Sequence, residues 1–267
     1  MELFRALATY CEGPTAVVAA ALELPLPAAA DHAELFTFQL YPYASVYVGA
    51  EGMLGGDAAD RVAGFWRASG ITPPAEPDHL AALLGLYAAF AEGQGDRARH
   101  LRHALLWEHL LTWLPPWLAR VREIAADLYA DWANLMVAAL LAEAEELGPP
   151  AAKPLHLRLA PPSGGLESVL AAVRSGVVVT RADLGRAARE LGLGLRQGER
   201  RSILDALLEQ NAPAVTAWLA REARGQAAIY RLLPCAFWPV IEHWASRADA
   251  TAEELGRLAV EAAAPPV

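Results

Sequence analysis

Apolar residues recur at helical spacing along this chain, and proline and glycine repeatedly interrupt the pattern. Leu80, Leu83, Leu84 and Tyr87 show the spacing most clearly, at positions i, i+3, i+4 and i+7. Alanine and leucine supply most of a hydrophobic content of 55%, and both residues favour helices. β-Branched residues are scattered rather than clustered, which disfavours strands. The sequence therefore predicts an all-α fold.

A run of glycine and proline divides the helical pattern into two units. Residues 148–154 read Gly-Pro-Pro-Ala-Ala-Lys-Pro, which is a composition typical of a linker. We therefore predict a helical bundle over residues 1–148, a linker over 149–165, and a C-terminal helical extension over 166–267 that packs on the bundle.

Local signals place individual helices within the two units. The first is expected over residues 2–12, and the longest from Pro116 to about Leu147. Residues 45–48 alternate like a strand, but the glycines that follow them favour an extended loop. In the extension, apolar periodicity predicts helices near the following ranges: 166–175, 180–191, 197–210, 213–223, 226–247 and 251–263.

The acidic balance of the chain limits its partners. The formal net charge is −9, so nucleic acids are disfavoured, because binding them needs clustered Lys and Arg. A locally basic stretch over residues 181–201 contains no recognisable recognition helix, and DNA binding is not expected there. Long-range attraction favours a cationic partner, although acidity also serves solubility alone.

Three sequence features favour a cytoplasmic location. Cys11 and Cys235 are far apart without metal-ligand spacing, which fits a reducing compartment. Residues 1–5 lack the basic start and apolar run of a signal peptide. No stretch is long and apolar enough to span a bilayer, so stable membrane insertion is not expected.

Three segments carry the most specific signal in the chain. Residues 76–80 read Glu-Pro-Asp-His-Leu, and residues 107–117 read Trp-Glu-His-Leu-Leu-Thr-Trp-Leu-Pro-Pro-Trp. Residues 35–52 contain Leu-Phe, Pro-Tyr-Ala-Ser-Val-Tyr and Glu-Gly in that order. Together these segments resemble the signature of the TorD/DmsD/NarJ family of redox-enzyme maturation chaperones. The resemblance covers about residues 1–148 and departs from the family pattern at Ala44, where many members carry Glu.

The resemblance implies a TorD/NarJ-like helical chaperone that is not an enzyme and has no cofactor of its own. Its expected partner is the N-terminal leader, often a twin-arginine sequence, of the catalytic subunit of a molybdopterin-dependent oxidoreductase. The chaperone would assist cofactor insertion, assembly and export of that subunit, as a monomer or a homodimer. The predicted peptide-binding residues lie in the three segments: Tyr43, Ser45, Tyr47, Pro77, Asp78, His79, His109, Trp113 and Pro115.

Some of these residues also have a purely structural interpretation. Asp78 has the position of a helix N-cap ahead of Leu80, and a capping Asp at an exposed helix end can still contact a peptide. Tyr43 and Tyr47 lie in a glycine-rich segment and are expected to expose their rings.

The tryptophans and histidines of residues 100–117 also suit a core. Two of Trp107, Trp113 and Trp117 are expected there, since their rings are large and need only one hydrogen-bond acceptor. His109 is expected to make a core hydrogen bond beside Trp113, because the nearby histidines lack the spacing of a metal site.

Two other functions remain open at the level of sequence. A helical metal-dependent enzyme could use Asp78, His79 and His109, and metal analysis would test for it. An accessory subunit would instead stay in the mature oxidoreductase complex, where size-exclusion chromatography would find it.

Overall fold

A computed structural model describes residues 1–263 and shows a helical protein. No β-strand occurs in that range, and an isolated antiparallel bridge joins Tyr43 to His79. The prediction of an all-α fold is confirmed. In chain order the α-helices are α1 Glu2–Glu12, α2 Ala16–Ala21, α3 Ala29–Ala33, α4 Ala44–Val48, α5 Gly56–Ala68, α6 Leu80–Glu92, α7 Gly95–Ala104, α8 Leu114–Ile124, α9 Ala126–Leu147, α10 Leu155–Arg158, α11 Ala172–Ser175, α12 Arg181–Leu191, α13 Arg200–Tyr230 and α14 Trp238–Ala263.

Two α-helices continue into wider π-helical turns, and two short 3₁₀ turns join later elements. The π-helical segments are Glu34–Gln39 after α3 and Leu105–Leu110 after α7. The 3₁₀ turns are Gly165–Ser168 and Cys235–Phe237.

Aromatic side chains fill the core of the N-terminal bundle. The ring of Phe36 lies 6.0 Å from that of Trp117 and 5.9 Å from that of Trp132, centroid to centroid. The indole N–H of Trp132 donates to the carbonyl of Leu7 at 3.2 Å, which joins α9 to α1. Fully burying a side chain such as Phe36 stabilises a fold by roughly 1.5–3 kcal/mol. The apolar stripe of α6 is also completely buried, as its helical spacing predicts.

The long helix predicted from Pro116 to Leu147 is wrong as a single element. The chain breaks at Ala125, where φ is −125° and ψ is 45°, and forms α8 and α9 instead. Neither proline nor glycine marks this break in the sequence. Local propensity alone therefore gave no reason to place it.

The longest helix is α13, and it has a kink where the sequence predicts a boundary. Asn211 leaves helical geometry, with φ −159° and ψ 77°, two residues before Pro213. A proline inside a helix has no N–H to donate and clashes with the preceding turn, so the helix bends. The separate helices predicted at 197–210 and 213–223 correspond to the two arms of α13.

The helix predicted at 226–247 is wrong. α13 runs to Tyr230, a turn containing Pro234 follows, and α14 starts at Trp238. The extended loop predicted for residues 45–48 is also wrong, because these residues form α4.

The C-terminal extension shares a continuous buried core with the N-terminal bundle. The indole N–H of Trp244 on α14 donates to the carbonyl of Thr112 at 2.9 Å. The guanidinium of Arg120 on α8 donates to both carboxylate oxygens of Asp183 on α12, at 2.6 and 2.7 Å. Burial alone would raise the pKa of Asp183, but Arg120 and hydrogen bonds from Thr180 hold it below its ordinary value.

The segment predicted as a linker, residues 149–165, packs against the rest of the protein. It contains α10, in which His156 and Leu157 are buried. Farther along, Gly176 has φ +72°, and a Cβ at this position would lie 2.3 Å from the backbone nitrogen of Ala248. Close backbone approach therefore fixes the start of the extension against α14.

Candidate functional site

The loop before α6 pairs with the segment that opens α4. The amide of Ala44 donates to the carbonyl of Asp78 at 3.0 Å, and the amide of Leu80 donates to the carbonyl of Pro42 at 2.8 Å. These two bonds bring the rings of Tyr43 and His79 together in a T-shaped contact, with centroids 4.8 Å apart. Two of the three sequence segments singled out above are thus joined in space.

Asp78 is a buried structural residue in this arrangement. Its carboxylate accepts a hydrogen bond at 2.9 Å from the amide of Ser45, in the first turn of α4. α4 lacks a cap from its own N-cap residue, Tyr43, so Asp78 supplies one from a distant part of the chain. The expectation that Asp78 stands at an exposed helix end is wrong, since only 5% of it is exposed.

The N-cap of α6 is His79, not Asp78. Its Nδ1 accepts a hydrogen bond at 3.1 Å from the amide of Ala81. That bond requires Nδ1 to be unprotonated. Partial burial lowers the pKa of His79, and the nearby carboxylates of Glu76, Glu12 and Asp78 oppose this effect. The bond to Ala81 and the lowered pKa both favour the neutral ring.

A surface forms around the Tyr43–His79 contact, and we name it the acidic aromatic patch: Glu12, Tyr43, Glu76, Pro77 and His79. Tyr43, Pro77 and His79 are partly exposed, and both glutamates are exposed. Desolvation, followed by the nearby carboxylate of Glu76, raises the pKa of Tyr43 to about 12. The patch therefore combines two aromatic rings with negative charge, an arrangement that attracts cations.

The other predicted site residues lie inside the protein. Tyr47 stacks on Trp113 with centroids 5.3 Å apart and planes 4° apart. The expectation of an exposed Tyr47 ring is wrong, because α4 turns this residue inward and leaves it 3% exposed. Ser45 and Pro115 are also buried. All three of the tryptophans at 107, 113 and 117 belong to the core, where only two were expected.

His109 makes a core contact with a second buried histidine. Its Nδ1 lies 3.4 Å from Nε2 of His156, and Arg61 donates to Nδ1 of His156 at 3.3 Å. We call His109 and His156 the buried histidine pair. Burial lowers the pKa of His109 to about 4 and that of His156 to about 3. Both rings are therefore neutral near pH 7.

The geometry does not assemble the metal site considered from the sequence. Asp78 bonds to the backbone of α4, while His109 bonds to His156 in the interior. Within residues 1–263 no group of three or more His, Cys, Asp or Glu side chains is placed to hold a metal ion.

Sequence reasoning missed the two exposed carboxylates of the patch. Glu76 adjoins the Pro-Asp-His segment, so its position was a usable signal. Glu12 ends α1, far away in sequence, and only the fold brings it near His79.

Residues 2–119 match the family model described as nitrate reductase delta subunit. Over these residues the chain is similar to that family. The match confirms the resemblance to NarJ/TorD-type chaperones, and the family is one of chaperones rather than catalysts. The matched range, residues 2–119, contains the whole acidic aromatic patch and ends within α8, so α9 to α14 lie outside the match.

Comparisons with curated proteins and with solved structures gave no match. In the described part of the chain, no helix has the length and apolar character needed to cross a bilayer.

Proposed function

We propose that this protein is a cytoplasmic chaperone that binds the N-terminal leader of a molybdopterin-dependent oxidoreductase catalytic subunit before cofactor insertion, assembly and export. The family match implies a maturation role associated with a nitrate-reductase-type molybdoenzyme. Beyond the family match, we propose that the ligand is the leader and that the acidic aromatic patch is its binding site.

The acidic aromatic patch is the observation that carries this proposal. An arginine side chain can stack on an aromatic ring and bind a carboxylate through two parallel hydrogen bonds. The patch offers two rings in contact, with Glu12 and Glu76 beside them. The net charge of −9 adds long-range attraction for a basic peptide.

A cavity at the other end of α4 suits the apolar part of a leader. It has a volume of about 670 Å³, within the range of pockets that hold a few side chains. Met53 and Leu54 on its rim are 69% and 56% exposed. The five residues of α4 separate this cavity from the patch by only about 8 Å along the helix. We propose that one extended peptide reaches both.

The buried members of the predicted site have a supporting role in this proposal. Asp78 and Ser45 hold α4 against the loop before α6. Tyr47 and Trp113 stack beneath the same helix. Tyr43, Pro77 and His79 are left as the contact residues.

The test is calorimetric titration of the N-terminal leader peptide of a nitrate-reductase-type molybdoenzyme catalytic subunit from the same genome. The double variant Glu12→Gln/Glu76→Gln should weaken binding about tenfold, since each lost charge-assisted contact at a partly screened surface contributes about 0.5–1 kcal/mol. The matched control, Glu145→Gln/Glu209→Gln, removes two exposed carboxylates elsewhere that form no ion pair within residues 1–263. It should bind like the unmodified protein.

Equal affinity in both double variants would remove the patch from the binding site. Absence of binding to the leader at high micromolar concentration would contradict the leader proposal as a whole.

The description of the family as a delta subunit favours testing a second function, that of a subunit retained in the mature enzyme. Co-elution of this chain with the cofactor-loaded oxidoreductase in size-exclusion chromatography would support retention. A chaperone should be absent from that peak.

A further inference from the structure

A groove at the junction of the two units has the opposite charge to the acidic aromatic patch. It lies between the π-helical segment Glu34–Gln39 and α12 and has a volume of about 490 Å³. We name it the arginine groove, and its defining residues are Phe38, Arg181, Arg189, Leu195 and Arg196.

The arginines of the groove are not engaged in ion pairs in the described part of the chain. Within residues 1–263, Arg181, Arg189 and Arg196 form no salt bridge. By contrast, Arg186 on the same helix pairs with Asp183 and with other carboxylates. The groove thus holds three arginines and one carboxylate, a net positive charge in a chain of net charge −9.

The one acidic residue that lines the groove is already engaged. The carboxylate of Glu34 accepts a hydrogen bond from the side-chain amide of Gln39 at 2.6 Å. Its partner Gln39 also accepts from the backbone of α12, so this side of the groove is held in place.

Apolar side chains are exposed between the arginines. Phe38 is 43% exposed and Leu195 is 54% exposed. The guanidinium of Arg181 lies 5.6 Å from the centroid of the Phe38 ring. The groove therefore presents both positive charge and apolar surface, which suits a segment that carries carboxylates and an apolar side chain.

The spacing of the arginines favours an extended peptide over a single anion. Arg181 and Arg189 are eight residues apart on α12, or about 12 Å along its axis. A strand rises about 3.3 Å per residue, so two acidic residues about four positions apart match this separation.

The start of α12 is not free to bind a phosphate. Helix N-termini bind phosphate through their first backbone N–H groups. Here the amide of Ala182 donates to Gln39 at 2.8 Å, and that of Asp183 donates to Thr180 at 3.2 Å. A carboxylate ligand needs only the guanidinium groups.

We propose that the arginine groove binds an acidic, partly apolar segment of a partner protein in extended conformation. Phe38 comes from the N-terminal bundle, while Arg181, Arg189 and Arg196 come from the extension, so the groove exists only where the two meet. This gives the extension a binding role that is independent of the leader site.

The test uses a fluorescein-labelled short peptide that carries two glutamates about four residues apart and a leucine midway between them. Fluorescence anisotropy measures its binding to the full chain, with the glutamine analogue of the same peptide as the uncharged control. The acidic peptide should bind at least tenfold more tightly than its analogue, and added salt should weaken it.

The decisive variant is Arg181→Gln/Arg189→Gln/Arg196→Gln. Its matched control, Arg67→Gln/Arg158→Gln/Arg224→Gln, removes the same total charge from arginines that form no salt bridge in the described residues. The first variant should weaken binding about tenfold, and the second should change it less than about twofold. If the triple variant fails to fold, Arg189→Gln/Arg196→Gln serves instead, because both side chains are exposed.

The proposal would be overturned if the acidic peptide did not bind at millimolar concentration, or if both triple variants lost peptide affinity equally. It would also be overturned if inorganic pyrophosphate, duplex DNA or anionic lipid vesicles bound to the same arginines more tightly than the acidic peptide. The outcome is separable from leader binding, because the Glu12→Gln/Glu76→Gln variant should bind this peptide normally.

Discussion

Replacement of Asp78 distinguishes a structural residue from a ligand contact. Asp78→Ala leaves the amide of Ser45 buried without an acceptor, since the 2.9 Å bond to the carboxylate is lost. A buried donor left unpaired costs about 1–3 kcal/mol. The two backbone bonds that flank the Tyr43–His79 contact do not involve this side chain, so the loop should remain in place. The expected loss in the free energy of unfolding is therefore about 1–3 kcal/mol.

Asp78→Asn should behave differently, because its side-chain oxygen can still accept from Ser45. Asn and Asp are about equally good caps, and the expected loss is less than about 1 kcal/mol. Asp96→Ala is the matched control: Asp96 is an exposed acid in the first turn of α7, and its loss should cost at most about 1 kcal/mol.

Urea denaturation followed by circular dichroism measures all three changes, and leader titration is carried out on the same samples. Asp78→Asn should retain leader affinity, since the carboxylate is buried beneath the patch. The reasoning is refuted if Asp78→Ala unfolds at the same urea concentration as the unmodified protein while leader affinity falls tenfold. Asp78 would then act on the ligand directly.

Three further predictions concern stability. Burial lowers the pKa values of the buried histidine pair to about 4 and about 3, so the neutral rings contribute stability that is complete above about pH 6.5 and is lost as the pH falls towards 4. The free energy of unfolding should fall by about 2–4 kcal/mol between pH 7.5 and pH 5. Urea midpoints that do not change with pH would contradict this. Arg120→Met should cost about 1.5–3 kcal/mol, because it removes two charge-assisted hydrogen bonds from the buried Asp183 carboxylate, which keeps Arg186 and Thr180 as partners; a double-mutant cycle with Asp183→Asn should show a coupling energy of at least about 0.5 kcal/mol between the two residues. Gly176→Ala should lower the free energy of unfolding by more than about 2 kcal/mol, since the added Cβ would clash with the backbone of α14. The added Cβ of Gly225→Ala points into open space, so this control should be neutral or stabilising.

The sequence by itself determined the elements whose signals are local. Helical spacing and the abundance of Ala and Leu predicted an all-α fold, and the α6 stripe is buried as expected. The prolines at the start of α8 and within α13 mark a helix start and a kink, because proline constrains its own neighbours wherever it lies. The three segments identified the family for the same reason, since each can be recognised without knowledge of what surrounds it.

Only the tertiary structure decided which of those residues reach the surface. Residues 45–48 form α4 because a carboxylate from residue 78 caps them, and no local pattern contains that contact. The same helix turns Tyr47 inward and leaves Tyr43 outside, beside His79 and near Glu12. Burial depends on packing between elements that are distant in sequence. The sequence therefore indicated that Tyr43 and Tyr47 lie in one segment, but it did not indicate which ring is exposed and which is buried.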